Sequence, residues 1–118
     1  MGGSHPAEPA IDLATFEELK ATTGADFVVE LVDTFLVEAP GMLYDLRTAL
    51  AADDAERFRR AAHSLKSNSN TFGALALGAL ARDLELSGLD PALNAQSLEA
   101  LRLEYARVAT ALTELRHA

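Results

Sequence analysis

Between Leu98 and Leu115 the apolar residues Leu98, Leu101, Tyr105, Val108, Leu112 and Leu115 follow one another at steps of 3, 4, 3, 4 and 3. Steps alternating between three and four place side chains on one face of an α-helix. A helix with one apolar stripe must bury it against a partner. About two and a half heptads is short for a free coiled coil but suits one helix of a bundle. The same period runs through Val28, Leu31, Val32, Phe35, Ala39, Met42, Leu46 and Leu50. No period-two alternation persists beyond a few residues, so nothing in the chain asks for a sheet.

Composition agrees with the periodicity. The chain has 23 Ala and 20 Leu against 5 Val and 1 Ile, rich in helix formers and poor in β-branched residues. Its 118 residues suffice for one domain with a real core. The fold expected is all-α: a single antiparallel four-helix bundle over residues 11–118, with a short extra N-terminal helix. Residues 1–10, with Pro6 and Pro9, are expected to form a disordered tail or an expression remnant. Asp12 is the expected N-cap of the short helix, which runs to about Ala21 and stops at Thr22-Thr23-Gly24. The second helix is expected from Ala25 to about Ala51, kinked at Pro40. Asp53 with Glu56 has the form of a capping box opening the third helix. Its inner face is Phe58, Ala61, Ala62, Leu65 and Phe72, with an interruption at Gly73. A fourth helix over Leu77, Leu80, Ala81 and Leu84 ends at Ser87-Gly88, and Asp90-Pro91 starts the last.

Several function classes are disfavoured. The net charge of −8, from 18 acids and 10 bases, argues against non-specific nucleic-acid binding and against docking on an anionic membrane. No stretch is apolar enough for a transmembrane helix, and the N-terminus lacks the form of a signal peptide, so the cytoplasm is the expected compartment. The absence of cysteine removes disulfides, thiolate metal sites and a cysteine nucleophile. Phosphate-binding loops, nucleophile elbows and H-E-x-x-H motifs are missing. His63 has no second histidine within a turn or two, so no metal and no cofactor is expected.

His63 stands apart because of its neighbours. It lies about 100° around the helix from Ala62 and heads a polar stripe with Arg59, Lys66, Ser67 and Asn70. On spacing alone, an inert surface histidine fits as well as a functional one. Charge adds a second signal: residues 57–82 hold Arg57, Arg59, Arg60, Lys66 and Arg82 and no acid. That segment carries +5 and leaves −13 for the remainder of the chain. A basic band around an exposed histidine suits a dianionic group and an acidic partner, although a plain solvated face also accounts for Arg57 and Arg60. A neutral imidazole is a good nucleophile near neutral pH, and phosphoryl transfer asks mainly for positioning and charge stabilisation.

The run Ala62-His63-Ser64-Leu65-Lys66-Ser67-Asn68-Ser69-Asn70-Thr71-Phe72-Gly73-Ala74 resembles the signature of histidine-containing phosphotransfer (HPt) domains. That pattern is a His, an apolar residue two on, a Lys three on, a small residue four on, and an apolar-Gly pair nine and ten on. The resemblance extends through Phe35–Pro40 and Ala51–Asp53, and covers about 105 residues from Ile11 onward. It implies a phosphorelay intermediate that takes a phosphoryl group from one receiver domain and passes it to another, with no kinase or ATP site of its own. By that resemblance His63 is the phosphoacceptor and Lys66 neutralises the phosphoryl group. Arg59, Ser67 and Asn70 serve partner access and docking, with Ser67 standing where the family most often has Gly. Phe72 and Gly73 are structural. The implied partners are receiver domains of response regulators or hybrid histidine kinases, and the chain is expected to be a monomer. One alternative is a phosphotransfer domain excised from a chemotaxis-type or hybrid sensor kinase, which shares Thr71-Phe72-Gly73. Another is a non-catalytic helical interaction module. The dimerisation helices of sensor kinases fit poorly, because Ser64 rather than Glu follows His63.

Overall fold

The computed structural model describes residues 9–117. Five helices follow in order: α1 Leu13–Thr23, α2 Ala25–Ala51, α3 Ala55–Thr71, α4 Leu75–Ser87 and α5 Pro91–Arg116. Among the described residues there is no strand. The last four helices, joined by short turns, form an antiparallel ring in which α2 packs on α3, α3 on α4, α4 on α5 and α5 back on α2. Among the described residues the backbones of the diagonal pairs, α2 with α4 and α3 with α5, do not approach closely, and they meet only through the shared core. The short α1 lies against α2 and α3.

Periodicity translates directly into burial. Phe35 and Leu46 of α2, Phe58 and Leu65 of α3, Leu77 and Leu84 of α4, and Leu101, Val108 and Leu112 of α5 fill the core. Each large side chain so buried contributes about 1.5–3 kcal/mol. Leu98, Tyr105 and Leu115 pack at its margin. Phe35 gathers the aromatic residues, with ring centroids 5.2 Å from Phe72 and 6.1 Å from Tyr105. The α2 helix runs unbroken through Pro40, which is exposed and leaves the Leu36 carbonyl without its usual helical donor.

Two turns share one geometry. At the end of α3, Gly73 N–H donates to Asn70 O (3.1 Å) and Ala74 N–H to Ser69 O (2.9 Å), with Gly73 at φ 86°. This is a Schellman closure, with glycine in the left-handed position. At the end of α2, Asp53 N–H donates to Leu50 O (3.2 Å) and Asp54 N–H to Ala49 O (2.9 Å), with Asp53 at φ 56°. Asp53 is thus taken up by the turn. The capping box expected from Asp53 and Glu56 does not form; Asp54 caps α3 instead, accepting from Arg57 N–H at 3.1 Å. The first helix continues to Thr23, two residues past the expected Ala21, before Gly24 ends it.

Packing begins before α1. Ala10 and Ile11 are buried, so Ala10, read as tail, belongs to the core. Asp12 N–H donates to Gly73 O at 2.8 Å and fastens the start of α1 to the α3–α4 turn. Pro9 is exposed, and residues 1–8 of the expected tail, with His5 and Pro6, lie outside the described residues.

Candidate functional site

Helix α3 points Phe58, Ala61, Ala62, Leu65 and Ser69 inward. The residues left over face out, and Arg59, His63, Lys66, Ser67 and Asn70 line up at steps of three and four. The His63 side chain is 56% exposed. One turn on, Lys66 is only 25% exposed, because it leans across the seam toward α4.

A residue not singled out in the sequence holds the two together. Glu85 of α4 accepts from His63 Nδ1 through Oε2 at 2.7 Å and from Lys66 Nζ through Oε1 at 2.7 Å. Its side chain is 15% exposed. The Lys66 ammonium, and after it the His63 ring, hold the Glu85 carboxyl below the ordinary carboxylate range against the opposing effect of desolvation. An ionised carboxylate can only accept, so Nδ1 carries the proton. In the neutral ring Nε2 then keeps its lone pair. The clasp therefore orients the ring and leaves Nε2 as the nitrogen without a protein partner among the described residues.

A signal for Glu85 does exist in the sequence. In an antiparallel helix pair, residues equidistant from the turn face one another. His63 stands eleven residues before Ala74 and Glu85 eleven after it. The same reflection pairs Asn70 with Gly78, four residues to either side. A Cβ on Gly78 would collide with the Asn70 carboxamide, so glycine there lets Asn70 lie against α4.

The other expected residues are found as follows. Arg59 is exposed, one turn before His63, and has no ion pair among the described residues. Ser67 is exposed and its carbonyl accepts from Thr71 Oγ1 at 2.9 Å. Phe72 is buried against Phe35. A Cβ on Gly73 would stand 2.7 Å from Asp12 O, so this position needs glycine for close approach as well as for its φ. The basic band is less uniform than its sequence window. Arg57 is paired with Asp45 of α2 at 2.8 Å, and Lys66 with Glu85. Among the described residues no three His, Cys, Asp or Glu side chains converge as metal ligands. No helix there is long and apolar enough to cross a membrane.

An exposed imidazole on a helix, with Nδ1 held by a carboxylate and an ammonium group one turn away, has the parts that a histidine phosphocarrier needs. Comparison with known families agrees: residues 30–116 match the Hpt domain, and the chain belongs to that family of histidine phosphotransfer modules of phosphorelays. Its fold is similar to the crystal structure of histidine-containing phosphotransfer protein B (HptB) from Pseudomonas aeruginosa PAO1. The TM-score is 0.85 at 29% identity, over 94% of this chain and 97% of that one. Comparison with curated proteins gives no significant match.

Proposed function

We propose that His63 carries a phosphoryl group between receiver domains, taking it from the aspartyl phosphate of one and giving it to the aspartate of another. The observation that carries this reading is the exposed His63 ring with Nδ1 held by Glu85. As Nε2 attacks, an N–P bond forms and the acyl P–O bond breaks, releasing the partner's carboxylate. The Nδ1 proton stays in place, so positive charge grows on the ring, and the Glu85 carboxylate faces it. A ring that keeps this proton is also a good leaving group for the return step. Lys66, one turn away, stands ready to face the phosphoryl oxygens. Arg59, Ser67 and Asn70 line the approach along α3, where the small Ser67 leaves room beside the imidazole. Receivers hold a cluster of acids around their aspartate, and Arg59 and Arg60, neither of which has an ion pair among the described residues, complement it.

The test is transfer of radiolabelled phosphoryl from a phosphorylated receiver. His63→Gln is expected to lose all labelling while keeping its helical circular dichroism. Label retained in that variant would reject His63 as the acceptor. Failure of wild type to exchange with any cognate receiver would favour a purely structural interaction module.

A further inference from the structure

Across the bundle from the His63–Glu85 clasp, the seam between α2 and α5 opens into a furrow of about 480 Å³. Its floor is apolar, with Leu43 and Leu50 on one wall and Ala95 and Leu98 on the other. Arg47 and Arg102 stand on its walls, and Pro40 closes one end. The pairing of Arg116 with Asp33 at 2.8 Å fixes the register of the two helices. Fourteen residues on from Asp33 is Arg47, and fourteen back from Arg116 is Arg102, so the two guanidinium groups lie at one level.

These two arginines are not equivalent. Arg102 is held by Glu99 in a bidentate pair, at 2.6 and 3.1 Å. Arg47 is exposed, and its guanidinium has no hydrogen bond or ion pair among the described residues. The furrow thus carries one uncompensated cation on a protein of net charge −8. Val37 (78% exposed), Tyr44 and Leu103 lie on the outer faces of the same two helices and do not line the furrow. An exposed apolar trough of this size marks an interaction surface.

We infer that this furrow receives an amphipathic helix of a partner protein, its apolar face on the Leu43–Leu98 floor and an acidic side chain on Arg47. A third helix is the natural convex complement to a trough between two helices. From Pro40 to Leu50 the trough is about 15 Å long, roughly three helical turns. A second copy in a two-fold dimer would set trough against trough at the axis, concave on concave. Because the α2–α5 seam is opposite the α3–α4 seam, both surfaces can be occupied at once, and the inference does not rest on phosphotransfer.

The test uses a helix-stapled synthetic peptide of about fourteen residues, four turns, with a leucine stripe bordered by glutamates, and its counterpart with lysines for glutamates. It is added to the ¹⁵N-labelled full chain. The glutamate peptide is expected to shift the amide signals of Leu43, Arg47, Leu50 and Leu98. The lysine peptide, and the glutamate peptide with Arg47→Glu, are expected to bind about tenfold more weakly. His63→Gln is expected to bind the peptide as wild type does, which separates this result from any failure of phosphotransfer. Equal binding of the two peptides, or shifts confined to the surroundings of His63, would overturn the inference. So would laurate shifting these signals where the glutamate peptide does not, or dimerisation of the chain through the furrow in sedimentation.

Discussion

The seam between α3 and α4 is closed by side chains that reach across it, whereas the seam between α2 and α5 is pinned at one end and open along its middle. On the first, Gly78 admits Asn70, Glu85 bridges His63 and Lys66, and Gly73 turns the chain back tightly. On the second, Arg116 and Asp33 make the tie, and the helices part around Arg47. The difference shows how one bundle divides its work. A seam locked by polar contacts can hold one imidazole in one orientation, and a seam left apolar and open offers area.

If closure of the first seam is what matters, its glycines should respond unequally to a methyl group. Gly73→Ala meets the Asp12 backbone and must hold a left-handed φ, and is expected to cost about 2–4 kcal/mol, read as a lowered urea midpoint. Glu85→Gln is expected next. It leaves the shape intact but removes the charge facing the ring, and should slow transfer roughly tenfold to a hundredfold, measured under single turnover with a phosphorylated receiver. Lys66→Ala should slow transfer or shorten the lifetime of phosphorylated His63, with little loss of helicity on melting. Smallest of all, Gly78→Ala is expected to change stability by less than about 1 kcal/mol. Its methyl meets only the far end of Asn70, which can swing into solvent, and alanine favours the helix. A large loss there would mean that the Asn70–Gly78 contact, rather than the Gly73 turn, sets the seam.

Acid offers a finer probe of the same seam. The Glu85 carboxyl is lowered on folding, by Lys66 first and His63 second. A carboxyl lowered in this way stabilises the fold at pH values above its ordinary 4.5 and loses that contribution as pH falls through the lowered value. Wild-type stability is therefore expected to drop more steeply than that of Glu85→Gln below that pH, seen in urea midpoints across an acid series. Parallel curves would show that the clasp contributes nothing to the fold.

Helix number, order and inner faces were legible in the sequence because the apolar period of each helix agrees with its end signals, as in Asp90-Pro91 before α5 and Gly88 after α4. His63 and Lys66 were legible because they lie on one helix, three residues apart. Glu85 is not legible in the same way, because its partnership depends on a register that only the α3–α4 turn sets. For the same reason the charge count over residues 57–82 overstated the basic band: folding brings Asp45 and Glu85 in from outside the window. The cap expected at Asp53 falls on Asp54, because an aspartate can end one helix or begin the next and the left-handed turn takes up Asp53.

The reflection about Ala74 has a kinetic consequence. His63, Lys66 and Glu85 fall within 23 consecutive residues, on the two arms of one helical hairpin. Bringing them together closes only a short loop, and contacts of such low sequence separation are gained early and fast. The clasp can therefore assemble with the α3–α4 hairpin, ahead of the long-range pairing of α2 with α5 that completes the bundle.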